Sequence, residues 1–417
     1  MNLKTLRFLL KGGGIFRAQE SSVAQSPGIQ RQLEIYRKGV LGLGPRFPMA
    51  VEDLERNAQR VLKREAFDYV AGGAGGGATV RANRNALEAM HIVPRHMRGI
   101  ADRSMGVHVF DKHYPTPLLI APVGVLGIVH KSGELGVARA AASLGIPMVL
   151  STASSHTLEV VANTLGKTPR WFQLYWPKDQ ELTASLVMRA EKAGYEAIVV
   201  TLDTFLFAWR ERDLQNAYLP FLVGDGLANY FNDPVFRESL KHSPEERPLE
   251  AVRHFARIFS NPALTWPDLK ALRKLTKLPI VAKGILHSND ARQAMRHGAD
   301  GVIVSNHGGR QVDGAIASID ALPAVVKAVG TRGPVLFDGG IRRGADVFKA
   351  LALGAKAVLV GRPYVWGLAV GGEAGVRHVL QNLVADFDLT MGLAGCRTVQ
   401  EIDASTFTSH HLGGAGK

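Results

Sequence analysis

The sequence predicts an α/β fold, a (β/α)8 TIM barrel with an N-terminal helical segment and a long lid insertion after the fourth strand. From residue 115 onward, short apolar runs recur eight times, each followed by turn residues and then by a helix-length amphipathic stretch. Strands alternating with helices argue for a parallel sheet, and eight such units over roughly 250 residues have the size of a closed barrel. The polar residues, moreover, bunch at or just past the C-terminal ends of the runs. In a barrel those ends converge on one face, the face that carries chemistry. An open doubly wound sheet is the alternative, but the G-x-G-x-x-G turn expected after its first strand is absent.

Taken in order, the predicted strands are Leu118–Ala121, Pro147–Ser151, Trp171–Tyr175, Ala197–Thr201, Pro279–Lys283, Val302–Ser305, Pro334–Asp338 and Ala357–Gly361. Helices are predicted at 133–144, 179–193, 288–297, 318–329 and 343–353, with two more near 51–64 and 79–90 ahead of the barrel. The spacing breaks once. About 202 to 278 separates the fourth run from the fifth, a stretch that includes Leu219–Phe221, Pro234 and the charged run His242–Arg247. Structureless loops of that length are uncommon in compact domains unless functional or mobile. Because this one leaves the catalytic face, part of it, about 205–265, is expected to form a lid. The expected division is an N-terminal extension over 1–44, partly disordered, a barrel domain over 45–395, and a C-terminal tail over 396–417.

The chain of 417 residues is 46% hydrophobic and 21% charged, an ordinary globular balance. None of its apolar runs approaches the roughly 18 residues of a membrane span. A formal net charge of +13 suits phosphate-rich partners. However, the Lys and Arg are scattered, and zinc-finger spacing and RNA-binding aromatic motifs are both missing. Attraction of small anionic substrates accounts for the charge as well, and no nucleic-acid partner is expected. The single cysteine, Cys396, excludes an intrachain disulfide framework and a multi-cysteine metal cluster; no metal is expected. Residues 1–19 contain no acid and place Lys4, Arg7, Lys11 and Arg17 among Leu3, Leu6, Phe8, Leu9 and Leu10. They read as a basic extension on a cytoplasmic protein, with a mitochondrial transit peptide as the alternative.

The most informative segment is 301–311, Gly-Val-Ile-Val-Ser-Asn-His-Gly-Gly-Arg-Gln. A buried β-branched run ends in a turn carrying a potential base, His307, and a potential carboxylate clamp, Arg310. Histidine takes a proton near neutral pH, arginine holds a carboxylate through two parallel hydrogen bonds, and the two glycines permit close approach of backbone to ligand. On its own the segment reads equally as a glycine-rich turn with a structural histidine. Convergence with Ser151, Gln173, Tyr175, Thr201, Asp203, Lys283 and Asp338 at other strand ends moves it toward chemistry on a small acid. After the seventh and eighth strands come Asp338-Gly339-Gly340-Ile341-Arg342-Arg343 and Gly361-Arg362-Pro363. Loops in those places frequently build a phosphate site from backbone N–H groups and a helix N-terminus. Lys283, after four apolar residues, reads either as a Schiff-base nucleophile or as a fixed positive charge beside a ligand.

Together these residues resemble the FMN-dependent α-hydroxy-acid oxidising family, which includes glycolate and lactate oxidases and flavin-linked lactate and mandelate dehydrogenases. Ser305-Asn306-His307-Gly308-Gly309-Arg310-Gln311 matches the family signature. Gln173-Leu174-Tyr175, Thr201-Leu202-Asp203-Thr204, Lys283-Gly284, Asp338 to Arg342 and Gly361-Arg362-Pro363 match in order, so the resemblance covers roughly 45–395. Tyr69 to Gly73, Ala121 to Val125 and Phe207 to Arg210 resemble the lactate 2-monooxygenase branch, as do the long insertion and Phe205; many other members carry alanine where Gly124 stands.

The resemblance implies FMN as cofactor, a small L-2-hydroxy acid and O2 as substrates, and a homotetramer or homo-octamer. It implies His307 as the base that takes a proton as the substrate C–H bond breaks, and Asp203 as the carboxylate that stabilises its imidazolium. Arg310 and Tyr69 would hold the substrate carboxylate, while Tyr175 and Arg210 would contact the hydroxyl or developing keto oxygen. Gln173, Thr201, Lys283 and Ser305, with Ser151 or Thr152 nearby, would line the flavin ring. Asp338 would bind ribityl hydroxyls, and Gly340, Arg342, Gly361 and Arg362 would hold the phosphate. Gly75-Gly76-Gly77 departs from the family pattern and implies reduced rigidity near Tyr69. The expected reaction converts lactate and O2 to acetate, CO2 and water. The alternatives are an oxidase or dehydrogenase releasing the keto acid, and a non-flavin phosphate-binding barrel isomerase using Lys283 covalently.

Overall fold

The structure is a computed structural model and describes residues 26–407. Eight parallel strands close into a barrel, and every one falls where the apolar runs predict it. After a two-stranded antiparallel hairpin, β1 (Val107–Val109) and β2 (Lys112–Tyr114), come β3 (Leu118–Ile120), β4 (Met148–Ser151), β5 (Arg170–Leu174) and β6 (Ile198–Thr201). β7 (Ile280–Ile285), β8 (Gly301–Val304), β9 (Val335–Phe337) and β10 (Ala357–Val360) complete the set. Each strand pairs with its sequence neighbour, and β10 closes on β3 through Val358 opposite Leu118 and Val360 opposite Ile120.

Side chains alternate faces along a strand, and this alternation builds the site. Val149, Trp171, Val199, Val281, Ile303, Leu336 and Leu359 fill the barrel interior together with Val107, Val109 and Tyr114 of the hairpin, which plugs the N-terminal end. Two residues further along the same strands stand Ser151, Gln173, Thr201, Lys283, Ser305, Asp338 and Gly361. The layer above the apolar core is therefore polar, and it faces the C-terminal mouth. Residues Leu118, Ile120, Leu150, Phe172, Val200, Ala282 and Val304, on the opposite face, pack beneath the surrounding helices.

Five barrel helices lie at the expected places, Gly133–Leu144, Gln180–Lys192, Ser288–Arg296, Ser318–Val329 and Gly344–Ala352. The expected 51–64 helix is two, Val51–Val61 and Arg64–Ala71, followed by Ala78–Ala89. Part of the expected N-terminal extension lies among the described residues. Pro27–Val40 is a helix whose N-terminus docks on the C-terminal helix, with Gly28 N donating to Asp388 Oδ2 at 3.1 Å. The acid-free stretch 1–19 lies outside the described residues. Helix Arg362–Leu393 breaks at Gly371 and Gly372.

The stretch between β6 and β7 is folded rather than structureless. It holds Glu211–Gln215, Ala228–Phe231, Pro234–Glu238 and Pro248–Phe259 as short helices. Their core is aromatic: Tyr230 and Phe255 meet edge-on at 4.8 Å, and Phe255 lies 4.9 Å from Phe259. Asn229 fastens this insertion to the barrel, accepting from Leu158 N at 2.7 Å and donating to Thr152 O at 3.0 Å.

Candidate active site

The loop after β8 presents His307, and its backbone is strained to do so: His307 has φ +57°, followed by Gly308 and Gly309 at +61° and +79°. A positive φ on a histidine costs of order 1 kcal/mol, and here a network holds it. Ser305 Oγ accepts from His307 N at 3.0 Å, and Asn306 exchanges amide hydrogen bonds with Asn83 at 2.7 and 2.8 Å. Asp203 Oδ1 lies 2.9 Å from His307 Nδ1, with Thr204 Oγ1 at 3.2 Å from the same nitrogen.

Burial pulls the Asp203 carboxyl up, but His307, Lys283 and Thr204 more than offset this, so its pKa sits below the usual carboxylate value. Burial likewise holds the His307 imidazole below its ordinary pKa; Asp203 opposes that shift, and Lys283 and Arg210 reinforce it. Asp203 therefore acts with the expected sign, yet burial outweighs it. An ionised Asp203 beside a neutral His307 fixes Nδ1 as the donor and leaves Nε2 to accept a proton. That is the arrangement of a general base.

Two buried guanidiniums flank the histidine. Arg310 donates through Nη1 to Tyr69 O at 2.5 Å and Gly72 O at 2.9 Å, and its Cζ stands 5.0 Å from the Tyr69 ring centroid. Arg210 donates through Nε to Arg310 O at 3.1 Å and through Nη2 to Gln311 Oε1 at 2.9 Å. Burial and the neighbouring Arg210 bring Arg310 down to about 10, so it stays cationic at neutral pH. Tyr175 is in the same wall, its ring 5.2 Å from Phe259; burial raises its pKa and keeps it a hydroxyl donor.

The Gly75-Gly76-Gly77 turn is firmly held. Asp313, on the loop that carries His307, accepts from Gly76 N at 3.0 Å and Ala78 N at 2.7 Å, and Gly75 N donates to Trp209 O at 2.8 Å. The rigidity expected to be lost near Tyr69 is supplied by this carboxylate.

The predicted flavin-lining residues form two side-chain networks on adjacent strands. Gln173 accepts from Ser151 Oγ at 3.0 Å and donates to Thr201 Oγ1 at 2.9 Å. Lys283 Nζ donates to Ser305 Oγ at 2.8 Å and stands 3.0 Å from Asp338 Oδ2. His307, Arg310, Tyr69, Tyr175 and Arg210 line one cleft together with Lys283, Asp338, Gly340, Arg342, Gly361 and Arg362.

The profile of the FMN-dependent dehydrogenase family matches residues 58–409. The chain belongs to that family. An L-lactate oxidase of Lysinibacillus sphaericus is 43% identical over 377 residues, covering 90% of this chain and 97% of the relative. The FMN-dependent alpha-hydroxy acid dehydrogenase qulF of Penicillium citrinum is 46% identical over 376 residues, covering 89% and 93%. A crystal structure of mandelate oxidase superposes with a TM-score of 0.77 at 42% identity, covering 87% of this chain and 98% of the other. The chain is thus an FMN-dependent 2-hydroxy-acid oxidoreductase. Membership removes the isomerase alternative, and Lys283 is held in an ion pair.

The cleft fits the family's cofactor. Its lining sets six cations, Arg84, Arg210, Lys283, Arg310, Arg342 and Arg362, against one carboxylate, Asp338, an excess suited to a phosphate and a substrate carboxylate. Arg342 is half-buried and has no ion-pair partner among the described residues; burial lowers its pKa, a cation in want of an anion. At Gly361 an added Cβ would meet nothing nearer than Ala121 Cβ at 3.9 Å, so open space lies against that backbone. Arg362 is differently engaged, donating to Val70 O, Gly308 O and Gly72 O at 2.8–2.9 Å. It ties the Tyr69 segment to the His307 loop while lining the cleft. Sequence reasoning missed Arg84, Asn83, Thr204, Gln311 and Asp313. All lie outside the strand-end pattern or beside a residue already chosen.

Proposed function

We propose that the protein is an FMN-dependent lactate 2-monooxygenase, converting L-lactate and O2 to acetate, CO2 and water. The observation that carries this reading is the shape of the substrate end of the cleft. Gly124 lets the turn after β3 pack closely against Ala153 in the wall, and Phe207, Phe221 and Phe259 of the insertion, in contact with one another, line the same cleft. A small apolar substituent suits that space, and a covered cleft suits a product that must stay.

In this reading Arg310 binds the substrate carboxylate with Tyr69 beside it. Tyr175 and Arg210 address the hydroxyl, and His307 Nε2 takes a proton as the C–H bond breaks, Asp203 steadying the resulting imidazolium. Bound FMN supplies a two-electron acceptor. Gln173, Thr201, Lys283, Ser305 and Ser151 or Thr152 would hold its ring, Asp338 its ribityl chain, and Gly340, Arg342, Gly361 and Arg362 its phosphate. The segment around Phe205 to Trp209 would act as the lid, retaining pyruvate until H2O2 formed in the same site decarboxylates it; closure that excludes water is the usual device for such retention. A homotetramer or homo-octamer in the cytoplasm completes the reading.

A second reading, an oxidase that releases pyruvate and H2O2, is favoured by the lactate oxidase among the relatives. Aerobic turnover of L-lactate with free H2O2 counted per O2 consumed separates them. Peroxide near zero with acetate accumulating supports the monooxygenase. Peroxide equal to O2 consumed sinks it.

A further inference from the structure

A second cavity adjoins the catalytic wall. Tyr175, Thr204 and Phe259 line both it and the catalytic cleft, so the two adjoin at these side chains. Its remaining lining includes the apolar Leu202, Leu264, Trp266 and Leu269 beside the uncharged polar Thr201, Asn261 and Thr265, with Phe205, Pro262, Thr265 and Asp290 exposed at its rim. The charge contrast is sharp: the cleft is lined by six cations, whereas this cavity is lined by none and has one carboxylate. A hydroxy-acid anion would lose its hydration here without a compensating positive charge, and the one ionisable group in the lining, Asp290, would repel it. A small neutral apolar molecule faces neither penalty, since transfer into an apolar chamber is favourable.

We infer that this second cavity is the passage and holding chamber for dioxygen, which reaches the reduced cofactor past the Tyr175–Thr204–Phe259 wall while the anionic substrate uses the cationic cleft. The inference rests on the proposed use of O2, which takes two electrons and two protons to become H2O2, and this H2O2 is consumed in the site as it converts pyruvate to acetate, CO2 and water. Separate routes would let O2 arrive while the keto acid still occupies the cleft, which the monooxygenase reaction requires.

Leu264 lies in the cavity lining on a loop and is half-buried, so it tolerates a change of size. Leu264→Trp narrows the chamber at that point and Leu264→Ala widens it. In the holoenzyme, reduced photochemically without substrate, Leu264→Trp is expected to slow reoxidation by O2 roughly tenfold. Reoxidation by ferricyanide and anaerobic reduction by L-lactate are expected to stay unchanged, and Leu264→Ala is expected to match or exceed the parent with O2. In crystals under xenon pressure, xenon is expected among Leu264, Trp266 and Leu269, and to be displaced in Leu264→Trp. Parent-like reoxidation by O2 in Leu264→Trp, or xenon absent from the cavity, overturns the passage and leaves the monooxygenase reading standing. A parent enzyme whose reduced form does not react with O2 overturns both.

Discussion

Asp203 reaches to 2.9 Å of His307 Nδ1 because residue 284 has no side chain. An added Cβ at Gly284 would stand 2.7 Å from both Cβ and Cγ of Asp203, and Gly284 also holds φ +102°, at the register shift between Lys283 and Ile285. Glycine there lets a strand pass against a carboxylate. Since Asp203 raises the His307 pKa against the stronger effect of burial, Asp203→Asn must lower that pKa further. The imidazole becomes a weaker base. Anaerobic reduction of the flavin by lactate is expected to slow by about 10²–10⁴, with the acid limb of its pH profile moving to lower pH. In the parent enzyme that limb lies below the ordinary histidine value, and activity is lost as pH falls through it. Stopped-flow rates across a pH series read both effects, and an acid limb that moves upward in Asp203→Asn contradicts the assigned coupling.

Arg310 does two tasks with one side chain. Nη1 is spent on the carbonyls of Tyr69 and Gly72, which aims the rest of the guanidinium from a fixed base. A lysine ammonium has neither the fork nor the reach to satisfy both. Arg310→Lys is expected to raise KM for lactate by 10- to 100-fold, about 1.4–2.7 kcal/mol, with flavin content unchanged. Steady-state KM and kcat beside the absorbance spectrum test this. An unchanged KM removes Arg310 from carboxylate binding.

Lys283 and Asp338 form a buried pair, 3.0 Å apart with side chains 5% and 11% exposed. Burial lowers the lysine pKa, but Asp338 and Asp203 more than restore it, leaving the ammonium charged. Lys283→Met leaves Asp338 and Ser305 buried without their cation, and breaking a buried pair from one side costs about 3–5 kcal/mol. Thermal unfolding of the apoprotein is expected to fall by several degrees, and the redox potential of the bound flavin to become more negative as a nearby positive charge is lost. Lys283→Met with Asp338→Asn removes both charges and is expected to recover most of the thermal loss but none of the potential. That difference separates fold support from cofactor electrostatics.

How much of this was legible follows from periodicity. The eight strands and five barrel helices were readable because each apolar run is bounded by Gly, Pro or Asp, and the site residues because they sit at strand ends. The period-2 step from Val199 to Thr201, or from Val281 to Lys283, also encodes which polar residues point inward. The hairpin Val107–Tyr114 was not legible: each of its strands has three residues, and its register rests on plugging a barrel not yet built. Nor was Asp313, whose partners Gly76 and Ala78 are 237 and 235 residues away. Its worth exists only once two loops meet. The helices of the insertion were not legible because its aromatic residues have irregular spacing, and only in three dimensions do Phe221, Phe255 and Phe259 form one cluster.

Gly124 offers the sharpest test of the proposed reaction. It lines the cleft, and an added Cβ would lie 2.8 Å from Ala153 O, 3.1 Å from Ala153 Cβ and 3.4 Å from Ser151 Oγ. The nearest of these is backbone, so it cannot swing aside, and the turn after β3 must move away from the turn after β4 by a few tenths of an ångström. Overpacking of that kind costs about 1–3 kcal/mol, a modest fall in melting temperature without loss of the fold. The displaced turn pushes toward the substrate and weakens the hold on the keto acid. Gly124→Ala is therefore expected to reduce flavin with lactate at a rate close to the parent's, yet to release pyruvate, so that free H2O2 per O2 rises from near zero toward one. An unchanged product ratio in a folded, flavin-loaded variant would show that retention is set elsewhere, and the insertion around Phe207 would be the next segment to alter.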